Sequence, residues 1–99
     1  MGKGEISWKR RDEDGEALQI YARRTGHRWH FFVRQRRYDN WQPLLDPPLE
    51  DWIELLDGVR RRTARRLMRP EEAQRVQKRI QELFPDVRLD SDVRRKNAP

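Results

Sequence analysis

Two glycine turn signals, "RDEDGEA" at 11–17 and "RTGHR" at 24–28, stand on either side of an alternating segment and restrict what this chain can fold into. With Glu13 and Asp14 in the turn and Gly15 left-handed, the first suits a three-residue hairpin loop with a glycine bulge. It pairs Asp12 with Glu16, Arg10 with Leu18, Trp8 with Ile20 and Ile6 with Ala22. In the second, Gly26 and His27 form a two-residue loop with glycine first, as a type II′ turn requires. It pairs Thr25 with Arg28, Ala22 with Phe31, Ile20 with Val33 and Leu18 with Gln35. A slip of one residue would send every side chain to the opposite face. Both registers gather Ile6, Trp8, Leu18, Ile20, Ala22, Trp29, Phe31 and Val33 on one side. Two independent turns agree on one apolar face, so a three-stranded antiparallel meander is expected.

The other face follows from the same registers. Ser7, Tyr21 and Phe32 form one row across the strands. Lys9, Gln19 and Arg34 form the next, and Arg11, Ala17 and Arg36 a third. Arg23 faces His30. Aromatic rings and cations thus share the side away from the core.

"NWQPLL" at 40–45 adds a short fourth strand, placed at the sheet edge because Pro43 has no N–H for a ladder hydrogen bond. "DPPLEDW" then opens a helix, with prolines tolerated in the first turn and acids suited to the helix dipole. Leu49, Trp52, Ile53, Leu56 and Val59 fall on one helical face, fit to cover the apolar side of the sheet. Gly58 either weakens or ends this helix, or lies within one that continues through Arg66. Pro70 opens a second helix whose stripe is Ala73, Val76, Ile80 and Leu83, and "FP" at 84–85 closes it. The expected class is α+β: a three- to four-stranded antiparallel meander over about 5–45, then helices over about 48–67 and 70–84. Residues 1–85 form one domain and 86–99 a frayed, flexible tail short of apolar anchors.

Composition narrows the function classes. Leu, Ile, Val and Phe supply 21 of 99 residues, little material for a core, so the four Trp and two Tyr must contribute much of the buried area. The chain has no cysteine, which excludes disulfides, thiolate catalysis and cysteine-bound zinc. No apolar run approaches membrane-spanning length and no signal-peptide core opens the chain, so a cytoplasmic protein without a membrane partner is expected. The formal charge of +6 favours a polyanionic partner, although 19 of the 23 basic residues are Arg, which a GC-rich genome would supply without any binding role. Distribution is more informative than the total. Residues 19–38 and 60–69 each hold six Arg and no acid, and residues 39–57 hold six acids and no base.

Sheets that bind nucleic acid use such a mixture because bases stack on exposed rings while guanidinium groups hold phosphates. The candidate contacts are Lys9, Arg11, Tyr21, Arg23, His30, Phe32, Arg34 and Arg36 on the sheet, with Arg61 and Arg65 from the second arginine run. A second helix lying across this face would bury the rings and remove the site. The acidic block could lie on the far side, or could meet the arginine-rich surface of a second copy. Catalysis has little to stand on: His27 and His30 are turn and surface residues, no glycine-rich phosphate loop is present, and no metal, cofactor or small-molecule substrate is expected. The expected function is binding of single-stranded DNA or RNA by phosphate neutralisation and aromatic stacking. The alternative is a protein-interaction module or homodimer with no nucleic-acid role.

A four-strand meander entering a helix through "WQPLLDPPLEDWIELL" resembles the positive cofactor four family of transcription coactivators. The likeness rests on a Leu-x-Pro element at the last strand and on a helix Trp one turn before a Leu, matched by Trp52 and Leu55. It spans roughly residues 5–62. The resemblance implies single-stranded DNA binding by a dimer built through the helix, with Phe32, Arg34 and Arg36 in the strand-binding region. This chain differs in having Pro43 inside the fourth strand, one extra residue before Pro48, and a second helix.

Overall fold

The computed structural model describes residues 5–87. Along the chain run β1 (Glu5–Arg11), β2 (Ala17–Thr25), β3 (Arg28–Arg34), β4 (Gln42–Leu44), α1 (Leu49–Ala64) and α2 (Pro70–Leu83). The strands form one antiparallel sheet in the order β1-β2-β3-β4, so the chain is α+β. Both hairpins take the expected registers: Ile6 pairs with Ala22 and Trp8 with Ile20, while Ala22 pairs with Phe31 and Ile20 with Val33. Gly15 at φ 84° and Gly26 at φ 64° supply the left-handed positions that the two loops demand. Asp12 fastens the first loop, its carboxylate accepting from the N–H groups of Asp14 and Glu16 at 2.9 Å each.

Departures from expectation fall at element ends. β3 stops at Arg34, so the pairing of Leu18 with Gln35 does not form. Residues 36–39 make a separate turn, in which the Arg36 N–H donates to the Asp39 carboxylate at 3.0 Å. α1 runs through Gly58 and ends at Ala64 rather than near 67. The Leu67 N–H donates to the Arg62 carbonyl at 2.8 Å and the Arg66 N–H to the Thr63 carbonyl at 2.9 Å. This is a Schellman closure with Arg66 at φ 63°, a position usually taken by glycine. The tail placed at 86–99 lies outside the described residues beyond Val87. Val87 itself packs against the core with Phe84.

Every residue assigned to the apolar sheet face belongs to or borders one core, together with Trp52, Leu55, Leu56, Val59, Val76 and Ile80. Phe31 lies at its centre, tilted against Trp52 at 4.8 Å and meeting Trp8 edge-on at 6.0 Å. α1 has α2 beside it as well as the sheet, so it buries a wider arc than one stripe. Leu55 is therefore fully enclosed although it lies off the expected line. On α2, Leu83 stays exposed and Phe84 takes the inward position instead.

Steric, electrostatic and hydrogen-bonding contacts hold α1 on β1. The first is steric: a Cβ on Gly58 would stand 2.7 Å from Ile6 Cγ2, so only glycine lets the helix come this close. The second is electrostatic. Asp51 is fully buried in the first turn of α1. Its carboxylate accepts from Arg10 Nε at 2.7 Å, Arg10 Nη2 at 3.0 Å and Trp8 Nε1 at 2.9 Å. Hydrogen bonding to Asp51 raises the Arg10 pKa against the opposing effect of burial. That contribution is fully present below the ordinary arginine range and is lost only as pH rises through the raised value. The clamp therefore does not titrate near neutrality through Arg10. At the far end of α1, Arg62 Nη2 donates to the Glu5 carbonyl at 2.9 Å.

Gly58→Ala is expected to destabilise the protein by about 1–3 kcal/mol in urea melts through overpacking, whereas relief of an exposed helical glycine would stabilise by about 1 kcal/mol. The sign of the change checks the close approach. Asp51→Leu alone should cost about 3 kcal/mol by leaving Arg10 with only the longer, exposed Glu50 contact at 3.9 Å, and Asp51→Leu with Arg10→Met should recover most of that loss. A double variant no better than the single would mean that the clamp is not a coupled pair.

Candidate nucleic-acid interface

The face turned away from the core is built by alternation along the strands. Glu5, Arg23 and His30 form its first row, Ser7, Tyr21, Phe32 and Pro43 the second, Lys9, Gln19 and Arg34 the third, and Arg11 and Ala17 the last. Glu5 is the one acid among these strand positions, set against Lys9, Arg11, Arg23 and Arg34. Lys9, Arg11, Arg23 and His30 are exposed. Neither helix lies on this side. α2 packs beside α1, with Val76 and Ile80 in the shared core, and its Glu72 carboxylate meets Arg24 at 3.0 Å and Arg75 at 2.6 Å.

The rings are nevertheless not bare. Tyr21 and Phe32 stack on each other at 4.8 Å and 17° between planes. Trp41 and Tyr21 meet in a T-shaped contact at 4.7 Å, and Tyr21, Phe32 and Trp41 are all half-buried. The Arg34 guanidinium lies over the Trp41 ring, 4.2 Å from its centroid. Arg34 Nε also donates to Gln19 Oε1 at 2.7 Å. One aromatic cluster with a cation seated on it occupies the middle of the face, and exposed cations stand around it.

Trp41 escaped the sequence reasoning, although a signal for it was present. Phe32 pairs with Pro43 and Val33 with Gln42. Extending that antiparallel register by one residue sets Trp41 opposite Arg34. Trp41 lies within the 40–45 segment expected as a strand, but the sequence reading assigns that segment no register against β3; the observed strand starts one residue later, at Gln42.

The other expected contacts are dispersed. Arg36 sits in the 36–39 turn, outside the ladder that would have given it a row on the sheet. Arg61 and Arg65 belong to the helical layer behind the sheet, and Arg61 is engaged with Asp57 at 2.6 Å. The structure does not bring them to the ring cluster. The acidic block is partly consumed inside the molecule: Asp51 in the buried clamp, Asp57 on Arg61, and Asp39 in its turn.

A notch of about 520 Å³ opens elsewhere, between the β2–β3 turn and the start of α2. Arg24, His27, Met68, Arg69, Glu72 and Arg75 contribute to its walls. Glu72 is paired there with Arg24 and Arg75, and no nucleophile with a neighbouring base converges on the notch. Among the described residues no group of three or more His, Asp or Glu is placed to hold a metal ion, and no helix is long and apolar enough to cross a membrane. No family model, curated protein or solved structure matches this chain.

The Arg34 contact with Trp41 is expected to give a coupling energy of about 0.5–1 kcal/mol, the range for a solvent-accessible cation–π pair. A denaturation cycle of Arg34→Gln, Trp41→Phe and the double variant measures it. Additive effects would show that the two side chains act separately.

Proposed function

We propose that this protein binds single-stranded nucleic acid across the sheet face, holding phosphates with its cations and unpaired bases with its rings. The observation that carries the reading is the ring cluster of Tyr21, Phe32 and Trp41 on a helix-free sheet face, bordered by exposed Lys9, Arg11, Arg23 and His30. Both halves of the chemistry are needed. Phosphate attraction supplies affinity without sequence preference, and stacking on rings favours bases whose faces are not already covered in a duplex. Burial of Asp51 on Arg10 and pairing of Asp57 with Arg61 favour the reading too, because they reduce the repulsion that a contiguous acidic surface would exert on a polyanion. The likeness to the positive cofactor four family, with its meander leading into a helix, points the same way.

A second reading, an interface with protein or with another copy of the chain, draws on two exposed apolar side chains. Tyr38 is 82% exposed and Leu45 is 92% exposed, on the loops before and after β4. Tyr, Trp and Arg together are also the residues that dominate protein interfaces.

Fluorescence polarisation with a labelled oligonucleotide separates the two. If Lys9, Arg11, Arg23 and Arg34 each neutralise a phosphate, the log–log salt slope should be roughly −3, and a fourfold rise in salt should weaken binding about fiftyfold. Absence of binding at low salt, with a mass by light scattering that grows with protein concentration, would replace the nucleic-acid reading with the interface one.

A further inference from the structure

Within the nucleic-acid reading, we infer that Trp41 is the ring that receives an unpaired base, and that Arg34 occupies its place in the free protein. A base entering the site displaces the guanidinium from the indole face, and Arg34 then turns to a phosphate of the same strand.

The ring geometry singles out Trp41. Tyr21 and Phe32 have spent a face on each other, and separating them would cost the stacking that a base could offer in return. Trp41 meets Tyr21 in a T-shaped contact rather than a parallel stack. The group over its ring is a guanidinium rather than packed hydrocarbon. A charged side chain at the solvent boundary can leave that position without opening a cavity, which a buried aliphatic group could not do.

Magnitudes favour the exchange. An accessible cation–π contact is worth about 0.5–1 kcal/mol, and stacking of one base on an aromatic side chain about 1–3 kcal/mol. The displaced guanidinium is not stranded, because a phosphate offers it a charge-assisted hydrogen bond and releases condensed counterion. Gln19 accepts from Arg34 Nε at 2.7 Å, which keeps the guanidinium beside the ring cluster. The mechanism selects single strands because both faces of a duplex base are already stacked. It also gives the two residues separable signatures: Trp41 sets the preference for unpaired bases, and Arg34 contributes to the salt dependence.

The test titrates full-length protein with labelled oligothymidine and with a duplex of equal length, following polarisation and intrinsic tryptophan fluorescence. Trp41→Ala should weaken oligothymidine binding about tenfold while changing duplex binding less than about twofold and leaving the salt slope intact. Trp41→Phe, which keeps a ring, should retain affinity within about threefold but lose most of the fluorescence quenching, although Trp8, Trp29 and Trp52 remain. Arg34→Gln should lower the salt slope by about 0.7. Circular dichroism of each variant confirms that the fold is kept. Wild-type binding with Trp41→Ala weakening both ligands equally, or neither, overturns the role of Trp41 and leaves the proposed function standing. Quenching unchanged in Trp41→Phe overturns it as well. Failure of the wild-type protein to bind either ligand removes the function itself, and the inference with it.

Discussion

The seating of α1 on β1 is the contact on which the rest of this small fold depends. With few aliphatic residues available, the core works only if the helix comes close enough for Trp52 to reach Phe31. Gly58 removes the one Cβ that would hold the helix away from Ile6. The Asp51 carboxylate fixes its angle by gripping Arg10 and Trp8 at the other end. Burying a charge is costly unless its hydrogen bonds are complete. Here three N–H donors converge on one carboxylate, so the clamp gives orientation, which apolar contacts alone specify less sharply. α2 then closes the remaining side of α1, and a single core results.

This arrangement decides how the chain's many charges are used. Arginines and acids that look like surface decoration in the sequence divide into two populations. Arg10, Arg24 and Arg62 work as structural ties, pairing with Asp51, Glu72 and the Glu5 carbonyl. Arg11, Arg23 and Lys9 lie on the exposed side of the sheet. The residues of β1 show the separation well: Arg10 points inward to a helix, and its neighbours Lys9 and Arg11 point outward. Strand alternation converts one run of basic residues into an internal fastening and an external field. A net charge of +6 therefore describes neither role by itself.

On the outer face the rings satisfy one another within the chain. Tyr21 and Phe32 stack, Trp41 closes against Tyr21, and Arg34 lies on the indole. Such a cluster shields apolar area that an open sheet face would otherwise leave in water, and it keeps the side chains in fixed positions. Its cohesion comes from contacts of modest strength, each comparable to what an incoming aromatic partner could supply. A face built in this way is ordered by its own contacts.

Much of this was legible in the sequence. The turn residues around Gly15 and Gly26 determined both registers, and with them the two faces of the meander, because a period of two leaves no intermediate assignment. The apolar spacing from Leu49 to Val59 and the proline at 70 determined the helices. Tertiary structure alone decided the rest. Whether Gly58 breaks α1 or admits it to β1 depends on Ile6, fifty-two positions away. Asp51 looked like a helix-dipole acid until Arg10 and Trp8 were brought to it, and Trp41 like a strand-edge residue until Arg34 lay across its ring. Local rules extend over neighbouring residues and paired strands. The pairing of charges and rings from separate elements follows only from how the layers are stacked.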